Sequence, residues 1–126
     1  MDKTTHDKGL QIRKEVLGEA YVANALKNSD DFNKPFHELV TEYCSGAIWG
    51  REGLPRKTRS MLNLAMISIL NRPHELRAHI RGAITNGVTR DEIREVLMQV
   101  ACYAGIPAGV DSFRIAREVF AELDKA

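Results

Sequence analysis

Residues 61–70 form the longest apolar stretch of this 126-residue chain, and they limit most strongly the folds open to it. The stretch reads MLNLAMISIL, with Asn63 and Ser68 as its polar members. At helical period its apolar side chains point in nearly every direction, and a helix without a polar face must be covered on all sides. In so short a chain, this predicts either a central helix or a helix at a subunit interface.

The rest of the chain repeats a helical pattern with short joints. Apolar residues recur every three or four positions, and no segment shows the sustained alternation of a strand. The predicted helices cover about 8–17, 19–27, 30–47, 55–71, 74–86, 89–104 and 107–123. We therefore predict an all-α fold, built as one domain over residues 1–126.

Helix-stopping glycines and helix-starting prolines stand at the predicted ends of these segments. The glycines are Gly18, Gly87 and Gly105, and the prolines are Pro35, Pro55 and Pro107. Thr89 and Glu92 have the spacing of a capping box. In the third helix, an apolar stripe at helical spacing is formed by Phe32, Phe36, Leu39, Val40, Tyr43 and Ala47.

Composition excludes several classes of function. The net charge of +1 gives no overall field that would recruit a nucleic acid or a membrane. Cys44 and Cys102 are too few and too far apart for a disulfide framework or a zinc site. The polar start, from Met1 to His6, does not resemble a signal peptide, and residues 61–70 are too short to span a bilayer. We therefore expect a cytoplasmic protein.

The segment from Trp49 to Arg59 concentrates positive charge beside the apolar stretch. It holds four cations and one anion in eleven residues; the cations are Arg51, Arg56, Lys57 and Arg59. His79 follows in the next predicted helix. Cations beside a buried helix, with an imidazole nearby, suggest a pocket for a small acid.

The chain resembles the carboxymuconolactone decarboxylase family in several motifs spread from about Gly9 to Phe120. They are Trp49-Gly50-Arg51-x-Gly53-Leu54-Pro55-x-Lys57-x-Arg59-Ser60, His79 followed by Gly82-Ala83, Gly87-Val88-Thr89, Glu92-Ile93 and Tyr103-Ala104-Gly105-Ile106-Pro107-Ala108. The resemblance implies an alkylhydroperoxidase-D-like bundle of six or seven helices that forms a homo-oligomer, built as a hexameric ring. It also implies a cofactor-free and metal-free decarboxylase of 4-carboxymuconolactone in the protocatechuate branch of aromatic catabolism.

The roles that this chemistry requires can be given to particular residues. Arg51 and Arg59 are the predicted carboxylate clamps, with Lys57 as a further cation, because guanidinium groups match carboxylates. His79 is the predicted general acid, oriented by Glu42 or Glu75. Trp49 and Tyr103 would wall the substrate ring. The departing carboxylate should face an apolar wall, for which the candidates are Leu62, Met66 and Ile106, because a tight cation there would stabilise the ground state.

Other interpretations remain open. Alkylhydroperoxidase-D-like proteins carry a Cys-x-x-Cys pair, and the second cysteine stands four positions before the motif histidine. Here Arg72 and Glu75 occupy the two cysteine positions. This departure argues against a thiol-dependent peroxidase. A non-catalytic oligomeric binding protein would keep the fold without turnover. In that case the cations would form a solvated helix start or an intersubunit ion-pair network, and His79 would be structural.

Overall fold

The computed structural model describes residues 3–126, and every regular element in this range is a helix. The helices are α1 (Lys3–Leu17), α2 (Glu19–Lys27), α3 (Lys34–Leu39), which continues as a π-helical segment (Val40–Trp49), α4 (Arg56–Leu70), α5 (Pro73–Thr85), α6 (Arg90–Ala104) and α7 (Ile106–Lys125). The predicted all-α fold is confirmed. Met1 and Asp2, at the predicted polar start, lie outside the described residues.

The helices fall into two compact units. The N-terminal unit ends at Arg56, and the C-terminal unit runs from Lys57 to Ala126. The prediction of one domain over the whole chain stays a prediction. Within residues 3–126, no helix combines the length and the hydropathy needed to cross a bilayer.

In the N-terminal unit, α1 packs tightly against the π-helical segment at two glycines. A Cβ atom on Gly9 would lie 2.0 Å from the carbonyl oxygen of Thr41, and one on Gly46 would lie 2.5 Å from that of Thr5. Arg13 is buried between the two elements and donates a hydrogen bond to Thr41 Oγ1 over 3.2 Å. Only hydrogen side chains at these two positions allow this close approach.

The π-helical geometry turns a polar face of the segment inward. Buried positions recur after four or five residues, as expected for i→i+5 hydrogen bonding; they are Thr41, Glu42, Ser45 and Gly46. The apolar stripe read from the sequence of this region is not buried in the single chain. Phe36 is 63% exposed, and Leu39 and Tyr43 are also exposed. The third helix also starts later than predicted, at Lys34, after a turn in which Asp30 Oδ1 accepts hydrogen bonds from the amides of Phe32 and Asn33.

The C-terminal unit has a continuous apolar core drawn from all four of its helices. Its largest fully buried members are Leu64, Ile80, Ile93, Leu97 and Val119. The predicted capping box begins α6: Thr89 Oγ1 accepts from the Glu92 amide over 3.0 Å, and Glu92 Oε1 accepts from the Thr89 amide over 2.9 Å. Gly87 and Gly105 adopt positive φ at the predicted helix ends, as only glycine does readily.

Helix α4 buries only part of its apolar surface. Leu64 is fully buried, whereas Leu62, Met66, Ile69 and Leu70 are exposed, Leu70 by 61%. The helix therefore presents apolar side chains that the single chain leaves exposed.

Candidate functional site

The side chains of α4 and α5 meet at His79. The amide Nδ2 of Asn63, on α4, lies 3.5 Å from the imidazole Nδ1 of His79, on α5, and both residues are half-buried. Burial lowers the pKa of His79 below its ordinary value of 6.5, and the charge of Glu75, one turn earlier on α5, opposes this only in part. The imidazole is therefore mainly neutral in the free protein at pH 7.

Arg59 stands one helical turn before Asn63 on the same face of α4. Its guanidinium Nε is buried and has no hydrogen-bond partner among residues 3–126. A buried donor of a cationic group left without an acceptor is costly, and native structures seldom contain one without a reason.

The other predicted residues of the C-terminal unit have different surroundings. The Nζ atom of Lys57 forms an ion pair with Glu92 over 2.9 Å, which ties the start of α4 to α6. The Thr89 backbone amide and then Lys57 lower the pKa of Glu92. Glu75 is exposed, and Tyr103, near the end of α6, is 83% exposed. Tyr103 can therefore wall a ring only where another molecule covers it.

Trp49 and Arg51 line a hollow in the N-terminal unit with a volume of about 600 Å³. Lys8 and Gln11 of α1, Leu54 and Arg56 also line it. Arg56 Nη1 forms an ion pair with Glu15 Oε1 over 3.1 Å. Within residues 3–126, neither Lys8 nor Arg51 has an ion-pair partner. The hollow thus combines an indole wall with the cations of Lys8 and Arg51, and the carboxylate of Glu52 lines it as well.

Glu42 lies on the inward face of the π-helical segment and is 8% exposed. It stands beside Thr41, which accepts the hydrogen bond from Arg13. The structure thus gathers Arg59, Asn63 and His79 in the C-terminal unit, and Trp49 and Arg51 in the N-terminal unit. That the two groups form one site, with Glu42 orienting His79, stays a prediction.

Sequence reasoning missed Asn63 and Lys8. Asn63 is the only amide in the apolar stretch of residues 61–70, and it follows Arg59 by four positions. That spacing could have identified it, because it places a hydrogen-bonding group on the face that carries the cation. Lys8 has no comparable signal, because it is one of several charged residues along α1.

The chemistry available to these residues is binding and proton transfer. Guanidinium groups can hold carboxylates, the imidazole can donate or accept a proton, and the indole can pack against a ring. Cys44 and Cys102 are free thiols. No cluster of three or more histidine, cysteine or acidic side chains suited to a metal ion occurs in the part of the chain that the structure describes.

Comparison with known proteins identifies the same family that the sequence motifs resemble. The model of the carboxymuconolactone decarboxylase family matches residues 34–118. A 4-carboxymuconolactone decarboxylase from Acinetobacter baylyi is 42% identical over 122 residues, which cover 97% of this chain and 91% of that protein. A nitrosuccinic acid decarboxylase from Metarhizium robertsii is 43% identical over 117 residues, 93% of this chain and 82% of that protein.

A second 4-carboxymuconolactone decarboxylase, from Pseudomonas putida, is 40% identical over 45 residues, which are 36% of this chain and 94% of that sequence. The family model alone covers more than half of the chain, and the Acinetobacter enzyme matches nearly all of it. The chain belongs to the carboxymuconolactone decarboxylase family.

Proposed function

We propose that this protein is a carboxy-lyase that converts 4-carboxymuconolactone to the enol-lactone of 3-oxoadipate in aromatic catabolism. The observation that carries the proposal is the 42% identity to a 4-carboxymuconolactone decarboxylase along almost the full length of both chains. The half-buried Arg59 and His79, and the hollow beside Arg51 and Trp49, supply residues that such a diacid requires.

The substrate can accept its own electrons. Loss of CO2 breaks the bond between the carboxyl carbon and the ring, and the electron pair enters the ring. The C=C bond is conjugated to the lactone carbonyl, so the charge reaches that oxygen as a dienolate. Protonation of the ring carbon next to the carbonyl then gives the enol-lactone. The protein must bind two carboxylates, stabilise the oxyanion and deliver one proton.

Arg51 and Arg59 would perform the binding steps. Each guanidinium can hold the acetate arm or the lactone carbonyl oxygen through paired hydrogen bonds. Arg59 is half-buried at the start of α4, on the face that carries Asn63, and this placement beside the His79 contact supports the role. The departing carboxylate should instead lie against apolar side chains such as Leu62, Met66 or Ile106, because a cation held tightly there would stabilise the ground state.

His79 would deliver the proton. Its imidazole is mainly neutral in the free protein, and a neutral ring is a poor acid. Two substrate carboxylates nearby would raise the pKa of His79, because an opposite charge favours the protonated form. In this scheme the imidazole takes up a proton as the diacid binds and passes it to the ring carbon. Glu42 or Glu75 would orient the ring.

The remaining predicted residues would shape the site. Trp49 and Tyr103 would wall the lactone and exclude water, which strengthens each polar contact there. Lys57 would add positive charge, although its ion pair with Glu92 means that it acts from a distance.

We also propose a cytoplasmic homo-oligomer, of which a hexamer is the form that the family resemblance implies. The exposed apolar residues of α4 and the 83% exposure of Tyr103 support association, because a second copy could cover both. A site completed between copies would bring Tyr103 out of solvent.

The decisive experiment supplies the purified protein with freshly generated 4-carboxymuconolactone and measures CO2 release together with enol-lactone formation. We expect turnover in the wild type and in a Cys44→Ser, Cys102→Ser double variant. Loss of activity in the double variant would instead support thiol chemistry. No CO2 from the wild type would overturn the proposal.

Nitrosuccinate is a second candidate substrate, favoured by the 43% identity to a nitrosuccinic acid decarboxylase. It is also a diacid, and its nitro group can accept the electron pair that CO2 leaves behind. The same clamps and proton donor would serve both reactions. Values of kcat/KM for the two acids, measured side by side, decide between them, because specificity is the ratio of those values.

A further inference from the structure

Asn63 is the side chain of α4 that contacts the His79 ring. Its Nδ2 lies 3.5 Å from His79 Nδ1, and both side chains are half-buried. A primary amide carries a donor and an acceptor at the same end of the side chain. Asn63 can therefore face Nδ1 in either protonation state of the ring, which an apolar or a purely acidic side chain cannot do.

We infer that Asn63 is a positioning residue that turns the His79 ring so that Nδ1 faces α4 and Nε2–H is the group offered to the substrate. The identity of that substrate rests on the proposed function. The orientation of the ring is a property of the free protein and can be tested without any substrate.

The hydrogen bonding is consistent through a full catalytic cycle. In the neutral ring, Asn63 Nδ2–H donates to the bare Nδ1, so the ring hydrogen is on Nε2. When the ring gains a proton at Nδ1, the amide rotates and Oδ1 accepts Nδ1–H. Nε2 then gives its proton to the substrate carbon, and solvent restores the starting state. Glu75 on α5 is the charged group identified as acting on this ring, and Asn63 adds no charge.

Nitrogen NMR of histidine-labelled protein tests the orientation directly. Four histidines contribute signals, and the set that disappears in His79→Gln belongs to His79. At a pH above the ordinary histidine pKa, we expect a bare Nδ1 in the wild type. Asn63→Leu should give a mixture of tautomers, and Asn63→Asp should place hydrogen on Nδ1. A wild-type ring with hydrogen on Nδ1, or an Asn63→Leu ring unchanged from the wild type, would overturn the inference.

Kinetics provide the second measurement. We expect Asn63→Leu to lower kcat by about tenfold with KM nearly unchanged, since one hydrogen bond that orients the proton donor is lost. Asn86→Leu is the matched control, because Asn86 Nδ2 donates over 2.9 Å to Ser60 Oγ in the same unit. It should keep the wild-type tautomer and kcat. Equal losses of kcat in both variants would reduce Asn63 to a structural role. If the wild type has no lactone turnover, the proposed function fails while the NMR result still decides the inference.

Discussion

His79 links protonation to stability at the level of one side chain. Burial lowers its pKa in the folded protein, whereas the unfolded chain has the ordinary value of 6.5. Below pH 6.5 the unfolded state therefore binds more protons, so stability should fall as the pH drops from 6.5 toward the folded pKa. We expect the melting temperature of the wild type to decrease more between pH 7.5 and pH 5 than that of His79→Gln.

His74→Gln is the control for this prediction. His74 lies on the same helix but is exposed. This variant should keep the pH dependence of the wild type. A pH dependence that His79→Gln leaves unchanged would show that the imidazole is not desolvated.

Arg59 should favour activity at the expense of stability. Its buried Nε has no acceptor within the described residues, and an unsatisfied buried donor costs about 1–3 kcal/mol. We expect Arg59→Met to raise the melting temperature by about 2 °C or more, and to lower kcat/KM roughly 100-fold because a clamp on the anion is lost. Calorimetry and lactone kinetics measure the two effects.

Arg94→Met is the matched control for Arg59→Met. Arg94 is exposed and pairs with Asp91 over 3.2 Å. Its replacement should change neither quantity appreciably. A melting temperature that falls in Arg59→Met would mean that the guanidinium is satisfied in the folded protein.

At the scale of single residues, sequence chemistry alone was enough to nominate Arg59 and His79, whose roles stay predictions. The charge of Arg59 and the imidazole of His79 stand out in any segment, and the family motif includes both. Asn63 did not stand out in the sequence, because a single amide within an apolar stretch looks like an interruption of the pattern. Its contact with His79 exists only once α4 and α5 pack together. Such a contact depends on how two helices pack, which the periodicity of either helix does not reveal.

The packing of α1 on the π-helical segment leaves no room for a side chain at Gly9. A Cβ on Gly9 would meet the Thr41 carbonyl oxygen at 2.0 Å, and backbone atoms cannot move aside as a side chain can. We expect Gly9→Ala to lower the free energy of unfolding by about 2 kcal/mol or more, despite the better helix propensity of alanine. Urea unfolding followed by circular dichroism measures this loss.

Asp7→Ala is the comparison, since Asp7 lies on the same helix but is exposed. It should change stability by no more than about 0.5 kcal/mol. If Gly9→Ala were equally mild, α1 and the π-helical segment would be less tightly packed than the structure indicates.

Elements with local signals were predicted well, and the π-helical segment was not. The Thr89 capping box and Gly105 fix the ends of α6 because their hydrogen bonds and backbone angles are local. The π-helical segment has no comparable marker. Phe36 of α3 and Tyr43 of the π-helical segment were placed on one apolar stripe because they recur at the spacing of an ordinary α-helix, yet both are exposed. The structure instead buries the polar face against α1.

At the scale of the whole molecule, the exposed face of α4 should govern assembly. Met66, Ile69 and Leu70 are each more than half exposed in the single chain. We expect the wild type to form an oligomer in native mass spectrometry and Ile69→Asp to shift it toward monomer, because a charge at an apolar interface is costly. If the site lies between copies, lactone turnover should fall with dissociation.

The exposed polar residue Gln99 provides the control for Ile69→Asp. Gln99→Glu adds the same charge outside that face and should leave the particle mass unchanged. A wild-type monomer at micromolar concentration would contradict the assembly prediction. It would also leave Tyr103 exposed, and so remove it from the proposed site.

Trp49 is the only tryptophan of the chain, and it lines the hollow beside Arg51. Its fluorescence is therefore a built-in optical probe of that hollow, which needs no label. A diacid that enters should change the emission in proportion to occupancy, and in an inactive His79→Gln variant the signal should persist instead of decaying as product departs.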